Sequence, residues 1–454
     1  MKDLKNISSI YFLGIGGIGM SALARFFNHR GIPVSGYDKI ETELTKQLIF
    51  EGINIHFEEN VALLDKGASV VVYTPAIPKT HKELNYYIDN NFEIVKRSDV
   101  LGMITTNSFN ICIAGTHGKT TTSAMVAHIL KHSSFGCSAF LGGISTNYQS
   151  NFLSGTNNVC VAEADEYDRS FLKLNPDVAI VTSMDADHLD IYGTEKNMQD
   201  AFIEFTKGIK AGGLLIQKMG LSRAAEFTAE NKLTYSLDNN KADIFADSIK
   251  TINGNYSFNI HFKGYVLEDI VLNMGGIHNI ENTLAAVAVA RHLNIADDLI
   301  RSAVAAFQGV KRRFEYIIKE NGHIMIDDYA HHPVELRALI TGTQSLFPEL
   351  KCTIIFQPHL FSRTRDLAGE FAAVLNLADE TVLLPVYPAR ELPVEGVSSE
   401  LILDKMLNAS RSVKSKDEVL TWVKRERPSL LITAGAGDID MLVEPIKKIL
   451  LENE

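Results

Sequence analysis

The sequence predicts an α/β protein built in three segments. Three observations predict it. Short apolar strand-like runs alternate with helical patterns, two of those runs end in glycine-rich loops that open a helix, and the pattern restarts near residues 105 and 307. At 454 residues the chain is too long for one ordinary core, so about two to four domains are expected.

The first segment reads β-α-β. Ile10-Tyr11-Phe12-Leu13 is a short apolar strand, followed by Gly14-Ile15-Gly16-Gly17-Ile18-Gly19 and a helical pattern over 20–29 with Leu23, Phe26 and Phe27 on one side. A strand over 33–37 ends at Asp38, and Val70-Val71-Val72-Tyr73 is another, from which Thr74 to Pro78 turns away. The second segment opens on a strand over 109–114, the loop Gly115-Thr116-His117-Gly118-Lys119-Thr120 and a helix over 121–131. Strands over 159–162 and 178–182 are apolar enough for the middle of a sheet. Alternating residues over 232–274, with Asn253-Gly254 as turn, predict an antiparallel hairpin region, and a helix over 282–293 closes the segment. The third segment carries strands over 324–326, 353–356, 381–384 and 430–433, the last running into Gly435-Ala436-Gly437-Asp438.

Apolar residues at 46% and charged residues at 22% describe a globular chain. A net charge of −11 argues against a nucleic-acid binder yet leaves room for a small anion in a locally basic cleft. No run approaches the ~20 apolar residues that cross a bilayer, so no membrane insertion is expected. Residues 1–6 lack a signal-peptide layout. The cysteines, Cys112, Cys137, Cys160 and Cys352, are scattered without metal or redox spacing, which predicts buried thiols in a reducing compartment, the cytoplasm.

Chemistry gathers at the loops. The first glycine loop lets the backbone approach a diphosphate at a helix N-terminus, and Asp38 stands where a carboxylate accepts from ribose hydroxyls. The second resembles a P-loop, with Lys119 for phosphate oxygens and Thr120 for Mg²⁺; a strict P-loop needs glycine where this chain has Ile113, so it is a shorter variant. ATP is the expected ligand there. Glu163-Ala164-Asp165-Glu166 and Asp185-Ala186-Asp187-His188 end strands beside that loop and supply oxygen ligands for Mg²⁺ or contacts for substrate. His278 to Asn282 precedes a helix, with Asn282 an ordinary N-cap on its own. His331-His332 is poor metal spacing, so no zinc is expected. Arg363 and Arg365 suit a carboxylate, or a plain surface ion pair.

In order and spacing these motifs, together with Arg312-Arg313-Phe314-Glu315, Asp327 to Pro333 and Phe356-Gln357-Pro358-His359, resemble the Mur ligases. The resemblance implies a fold of three domains: residues 1–105 Rossmann-like for a UDP substrate, 106–307 a P-loop ATPase with a parallel sheet plus a small antiparallel sheet, and 308–454 Rossmann-like for an amino acid. It implies ATP-dependent joining of L-alanine to UDP-N-acetylmuramic acid, with Mg²⁺; whether the chain is a monomer or a homodimer the sequence leaves open. It implies catalytic roles for Lys119, Glu163 and His188, and metal binding by Thr120, Glu163 and His188. ATP would meet Gly115, Thr116, His117, Gly118, Lys119, Thr120 and Thr121, with His278, Asn279, Asn282, Arg313 and Asp328 on the adenine side. The nucleotide-sugar side would draw on Gly16, Gly17, Ser21, Asp38, Thr74, Arg97 and Glu166, and the amino-acid site on Tyr329, His331 and Arg363. Where the family commonly reads His-Arg-Tyr-Thr-Arg, this chain has His359-Leu360-Phe361-Ser362-Arg363, which removes one carboxylate contact. A ligase adding a peptide to the same sugar remains an alternative. A nicotinamide oxidoreductase leaves the second loop unexplained, and a nucleotide sensor predicts binding without turnover.

Overall fold

The computed structural model describes residues 7–389 and 391–452; the N-terminal stretch read for a signal layout lies outside them. Three sheets form among the described residues, one opening at each of the three segment starts. The first runs β3 (Asn54–His56), β2 (Val34–Tyr37), β1 (Ile10–Leu13), β4 (Val70–Tyr73) and β5 (Ile94–Lys96), all parallel. The strand order reverses beside β1, so the loop after β1 opens at the carboxyl edge where a crevice forms.

The second sheet has ten strands. In chain order they are β6 (Phe109–Ala114), β7 (Ser138–Ser145), β8 (Ser150–Leu153), β9 (Val159–Glu163), β10 (Val178–Val181), β11 (Leu214–Lys218), β12 (Asn231–Ser236), β13 (Ile244–Ile252), β14 (Asn255–Phe262) and β15 (Tyr265–Leu272). Their spatial order is β15-β14-β13-β12-β11-β10-β6-β9-β7-β8. The antiparallel strands expected as a small separate sheet are thus continuous with the parallel ones. β12, at the start of the predicted hairpin region, instead pairs parallel with both β11 and β13. Asn253 and Gly254 both take positive φ, 50° and 70°, which is the two-residue turn their sequence signals.

The third sheet is β16 (Glu315–Glu320), β17 (His323–Asp328), β21 (Leu430–Ala434), β18 (Cys352–Phe356), β19 (Glu380–Leu383) and β20 (Arg411–Val413), parallel except for edge strand β16. By compactness the chain divides into two units. One takes residues up to 247, 259–268 and 281–304, and so holds the first sheet and the parallel core of the second. The other takes 248–258, 269–280 and 305 onward, with the third sheet.

Within the first unit the helix Ile18–His29 buries Phe26 against Phe140 and Phe152 of β7 and β8, with ring centroids 5.5 and 6.0 Å away. Arg25 of that helix is fully buried and is neutralised by Glu51 at 2.7 Å. Asn151 of β8 accepts from the Arg25 guanidinium and donates to the Ser21 hydroxyl at 2.8 Å. A buried cation needs such partners, because a charge left unpaired in the interior is costly. All four cysteines are free and buried, and burial pushes the Cys112, Cys137 and Cys352 thiols up to about 12. Among the described residues no helix is long and apolar enough to cross a membrane.

Candidate active site

Strand register builds the main site. β6 lies between β9 and β10, with Ile113 opposite Glu163 and Ala114 opposite Val181, so the carboxyl ends of three parallel strands meet. The loop after β6 turns at Gly115, whose φ is +140° and whose added Cβ would lie 2.0 Å from Thr182 Oγ1. Only glycine fits there. Gly118, at φ +80°, caps the helix Lys119–His132, which begins two residues earlier than its sequence pattern suggested. Ile113, where a longer P-loop would carry glycine, is a buried strand residue. The loop backbone is braced by the segment after β10: Ser183 Oγ accepts from His117 N at 2.7 Å and lies 3.0 Å from Thr116 Oγ1. A helix N-terminus framed by such a loop is an anion site.

Around it stand the polar groups expected of a phosphate and cation site. Lys119 Nζ lies 2.7 Å from Gly115 O and 2.8 Å from Glu166 Oε1. Thr120 Oγ1 donates to Glu163 Oε1 at 3.1 Å, and Gly142 N donates to Glu163 Oε2 at 3.0 Å. His188 adopts φ +49°, uncommon for a non-glycine residue, and its Nε2 lies 3.8 Å from Glu166. Asn282 does not cap its helix, which starts at His278; its Oδ1 accepts from Thr122 at 3.2 Å, and Gly118 lies against it. Thr121 is buried in the same turn.

Among the described residues no three His, Cys, Asp or Glu side chains stand together as a metal cluster. Mg²⁺ keeps waters and takes one or two carboxylates plus phosphate oxygens. Thr120 and Glu163 fit such a cation, their oxygens already 3.1 Å apart.

The first glycine loop is held differently. Asp38 Oδ2 accepts from Gly16 N at 2.8 Å, so the carboxylate read as a ribose contact pins the loop. Gly17 precedes the helix Ile18–His29, and Gly14 packs on Thr74, whose Cγ2 would be 2.8 Å from an added Cβ. Arg97 passes close over Gly19 and reaches Asp165 at 3.5 Å. Ser21 is fully buried, its hydroxyl donating to Ile18 O, and it braces the loop from behind.

In the second unit Tyr329, His331 and His359 form a chain of rings, with centroids 5.4 and 6.1 Å apart, and His359 stacks on Tyr387. Arg363 Nη1 is buried without a hydrogen-bond partner, as is His359 Nδ1, so donor capacity for a carboxylate is left open. Burial and then Arg363 hold His359 below the usual histidine range. Leu360 takes φ +70° at the start of the helix Phe361–Leu375, its N–H donating to Tyr387 O at 2.9 Å. Asn279 Nδ2 donates to Gly275 O at 2.6 Å, and the His278 ring lies against Gly276.

Arg313 N donates to Val310 O at 3.1 Å. Asp328 accepts from Phe314 N at 2.6 Å and Ala330 N at 2.7 Å. Burial nevertheless raises its carboxyl to about 6, those hydrogen bonds and Arg313 opposing it. A carboxyl raised on folding favours the folded state most below its unfolded value of 3.8, and that contribution is lost as pH rises through about 6. The urea midpoint of the wild-type chain relative to Asp328→Asn is therefore expected to fall between pH 4 and 7; a flat difference contradicts the burial argument.

Gly142, Ser183 and Tyr387 are not marked by the sequence as site residues, and His359 stands there in a motif without a role of its own. Gly142-Gly143 inside a strand was the available signal, since glycine there marks close approach of another group.

Comparison with known proteins bears on the family and the fold. Three family models match: "Mur ligase family, catalytic domain" over residues 9–108, "Mur ligase middle domain" over 113–290 and "Mur ligase, glutamate ligase domain" over 312–437. The UDP-N-acetylmuramate–L-alanine ligase of Flavobacterium johnsoniae is 46% identical over 455 residues, covering 99% of this chain and 100% of that protein. The Porphyromonas gingivalis enzyme of the same name is 47% identical over 450 residues, covering 97% and 98%. Among solved structures, the UDP-N-acetylmuramate-alanine ligase of Thermotoga maritima superposes with a TM-score of 0.83 at 27% identity, covering 98% of this chain and 99% of that one. A Psychrobacter arcticus murein peptide ligase, at 23% identity and TM-score 0.68, shares the fold over 98% and 99% of the two chains. With all three models matched in order and full-length relatives near half identical, the chain belongs to the Mur ligase family.

Proposed function

We propose that this chain joins L-alanine to the carboxylate of UDP-N-acetylmuramic acid, with conversion of ATP to ADP and phosphate, in cytoplasmic synthesis of peptidoglycan precursors. The observation that carries the reading is the gathering of Lys119, Thr120, Glu163, Glu166 and His188 at the ends of β6, β9 and beyond β10, in a chain with a second, separate glycine loop. One loop serves the nucleotide that supplies energy, the other the nucleotide carried by the substrate. Full-length relatives of the stated activity support the substrates.

A carboxylate and an amine do not condense in water without activation. The substrate carboxylate oxygen attacks the γ-phosphorus of ATP, the bond to the β-phosphate oxygen breaks, and ADP leaves. The alanine amine then attacks the acyl carbon, inorganic phosphate departs, and the amine loses its proton. Lys119 neutralises phosphate oxygens, and the loop N–H groups hold them in line. Thr120 and Glu163 would hold Mg²⁺ and His188 would serve a second ion; when bound, the cation would offset phosphate charge. Asn282, His278, Asn279, Arg313 and Asp328 attend the adenine, and Tyr329, His331 and Arg363 receive alanine, the guanidinium pairing with its carboxylate.

The test is ADP formation measured with and without UDP-N-acetylmuramic acid and with each amino acid. Turnover is expected only when the sugar acid and L-alanine are both present. Turnover with a tripeptide in place of alanine would assign the peptide-adding reaction instead, and ATP binding without turnover would make the chain a sensor.

A further inference from the structure

We propose that Glu166 is the counter-ion that holds Lys119 in place before nucleotide arrives and competes with phosphate for it, so that this one carboxylate tunes nucleotide affinity. The inference rests on Lys119 being the phosphate-binding lysine. Lys119 is the first residue of its helix, and its side chain folds back over the loop. Its Nζ meets Gly115 O at 2.7 Å and both Glu166 oxygens, Oε1 as a hydrogen bond at 2.8 Å and Oε2 at 2.7 Å through charge alone. An ammonium has three donors, and these contacts engage most of them.

Glu166 is not a loose loop carboxylate. It is fully buried, and its backbone carbonyl accepts from Tyr192 OH at 2.6 Å. The other ionisable ring near it is His188, Nε2 at 3.8 Å, while Glu163 is engaged by Thr120 and Gly142, and Asp165 by Arg97. Drawing Lys119 toward phosphate strips a buried carboxylate of its cation, which is costly in a low-dielectric setting. Nucleotide binding therefore works against the Lys119–Glu166 pair. Glu166 acts as a positioning residue: it orders the lysine in the free protein and weakens phosphate binding, which favours release of ADP.

The sign of one binding constant tests this. Glu166→Gln keeps the shape and removes the charge. By calorimetry on the full chain, ADP and a non-hydrolysable ATP analogue are expected to bind about three- to tenfold more tightly, while kcat falls because the lysine loses its fixed place. A purely structural role predicts weaker binding together with a lower melting temperature. Glu166→Asp, which withdraws the carboxylate by one methylene, is expected to tighten binding by a smaller factor, and it serves if the glutamine variant does not fold. Unchanged or weaker nucleotide binding in a folded variant overturns the proposal. Lys119→Met separates the two readings. If it binds ADP as well as the wild type, the phosphate role of Lys119 fails; if it loses ADP while Glu166→Gln does not tighten, only the counter-ion role fails.

Discussion

Lys119→Ala is expected to lower ADP formation by about 10³-fold or more, because the group that meets developing phosphate charge is gone from a preorganised loop. The same change has a second, separable consequence. Glu166 is fully buried and takes its positive partner from Lys119 at 2.7 Å, so the single variant leaves an uncompensated carboxylate in the interior. Breaking a buried pair from one side costs roughly 3 kcal/mol or more. The lysine variant should therefore lose stability as well as activity. Adding Glu166→Gln should restore most of the stability, since a neutral amide needs no cation, and should restore none of the activity. Phosphate-release assays and urea midpoints on the wild type, the single variant and the double variant check both halves. Near-normal turnover in Lys119→Ala would remove the lysine from the mechanism.

That separation depends on a contact the linear sequence conceals. Lys119 and Glu166 are 47 residues apart, and only the pairing of β6 with β9 brings them together. The local signals served well where chemistry and backbone agree. The strand over 109–114, the glycine turn and the Lys-Thr at a helix start were all readable, because a phosphate loop demands that order. The turn at Asn253-Gly254 was equally plain. Edge strands β16 and β20 were not, since half-exposed edges carry weak alternation. Asn282 illustrates the opposite error. A lone asparagine before an apolar run reads as a cap, yet the helix begins at His278 after Gly275-Gly276, and Asn282 turns toward Thr122. Its partner is 160 residues away, beyond any local rule. Asp38 and Ser21 stand beside the first glycine loop, as the sequence suggests, and both hydrogen-bond to neighbouring protein groups there.

Gly142→Ala is expected to lower kcat by about 10²-fold and to raise the Mg²⁺ concentration needed for half-maximal activity, with little loss of stability. The expectation follows from space rather than from backbone freedom. Gly142 does not take a positive φ, so alanine suits its conformation. An added Cβ, however, would lie 2.3 Å from Glu163 Oε2 and 2.5 Å from both Cδ and Oε1. One side must yield. The backbone of β7 is pinned just before this point, where Phe140 is in register with Ala162 of β9 on one side and with Phe152 of β8 on the other, and it departs from register between Phe140 and Ser145. The glutamate side chain is the soft partner, and turning it away breaks both its hydrogen bond from Gly142 N and the one from Thr120. The oxygen pair proposed for the cation is then lost while every strand remains paired. Gly115→Ala provides the contrast: at φ +140°, with Thr182 Oγ1 2.0 Å from the new Cβ, it should unsettle the loop itself and lower the melting temperature. A Gly142→Ala protein with an unaltered Mg²⁺ dependence would mean that the carboxylate of Glu163 can leave Thr120 without consequence, and the metal role assigned to the pair would have to be given up.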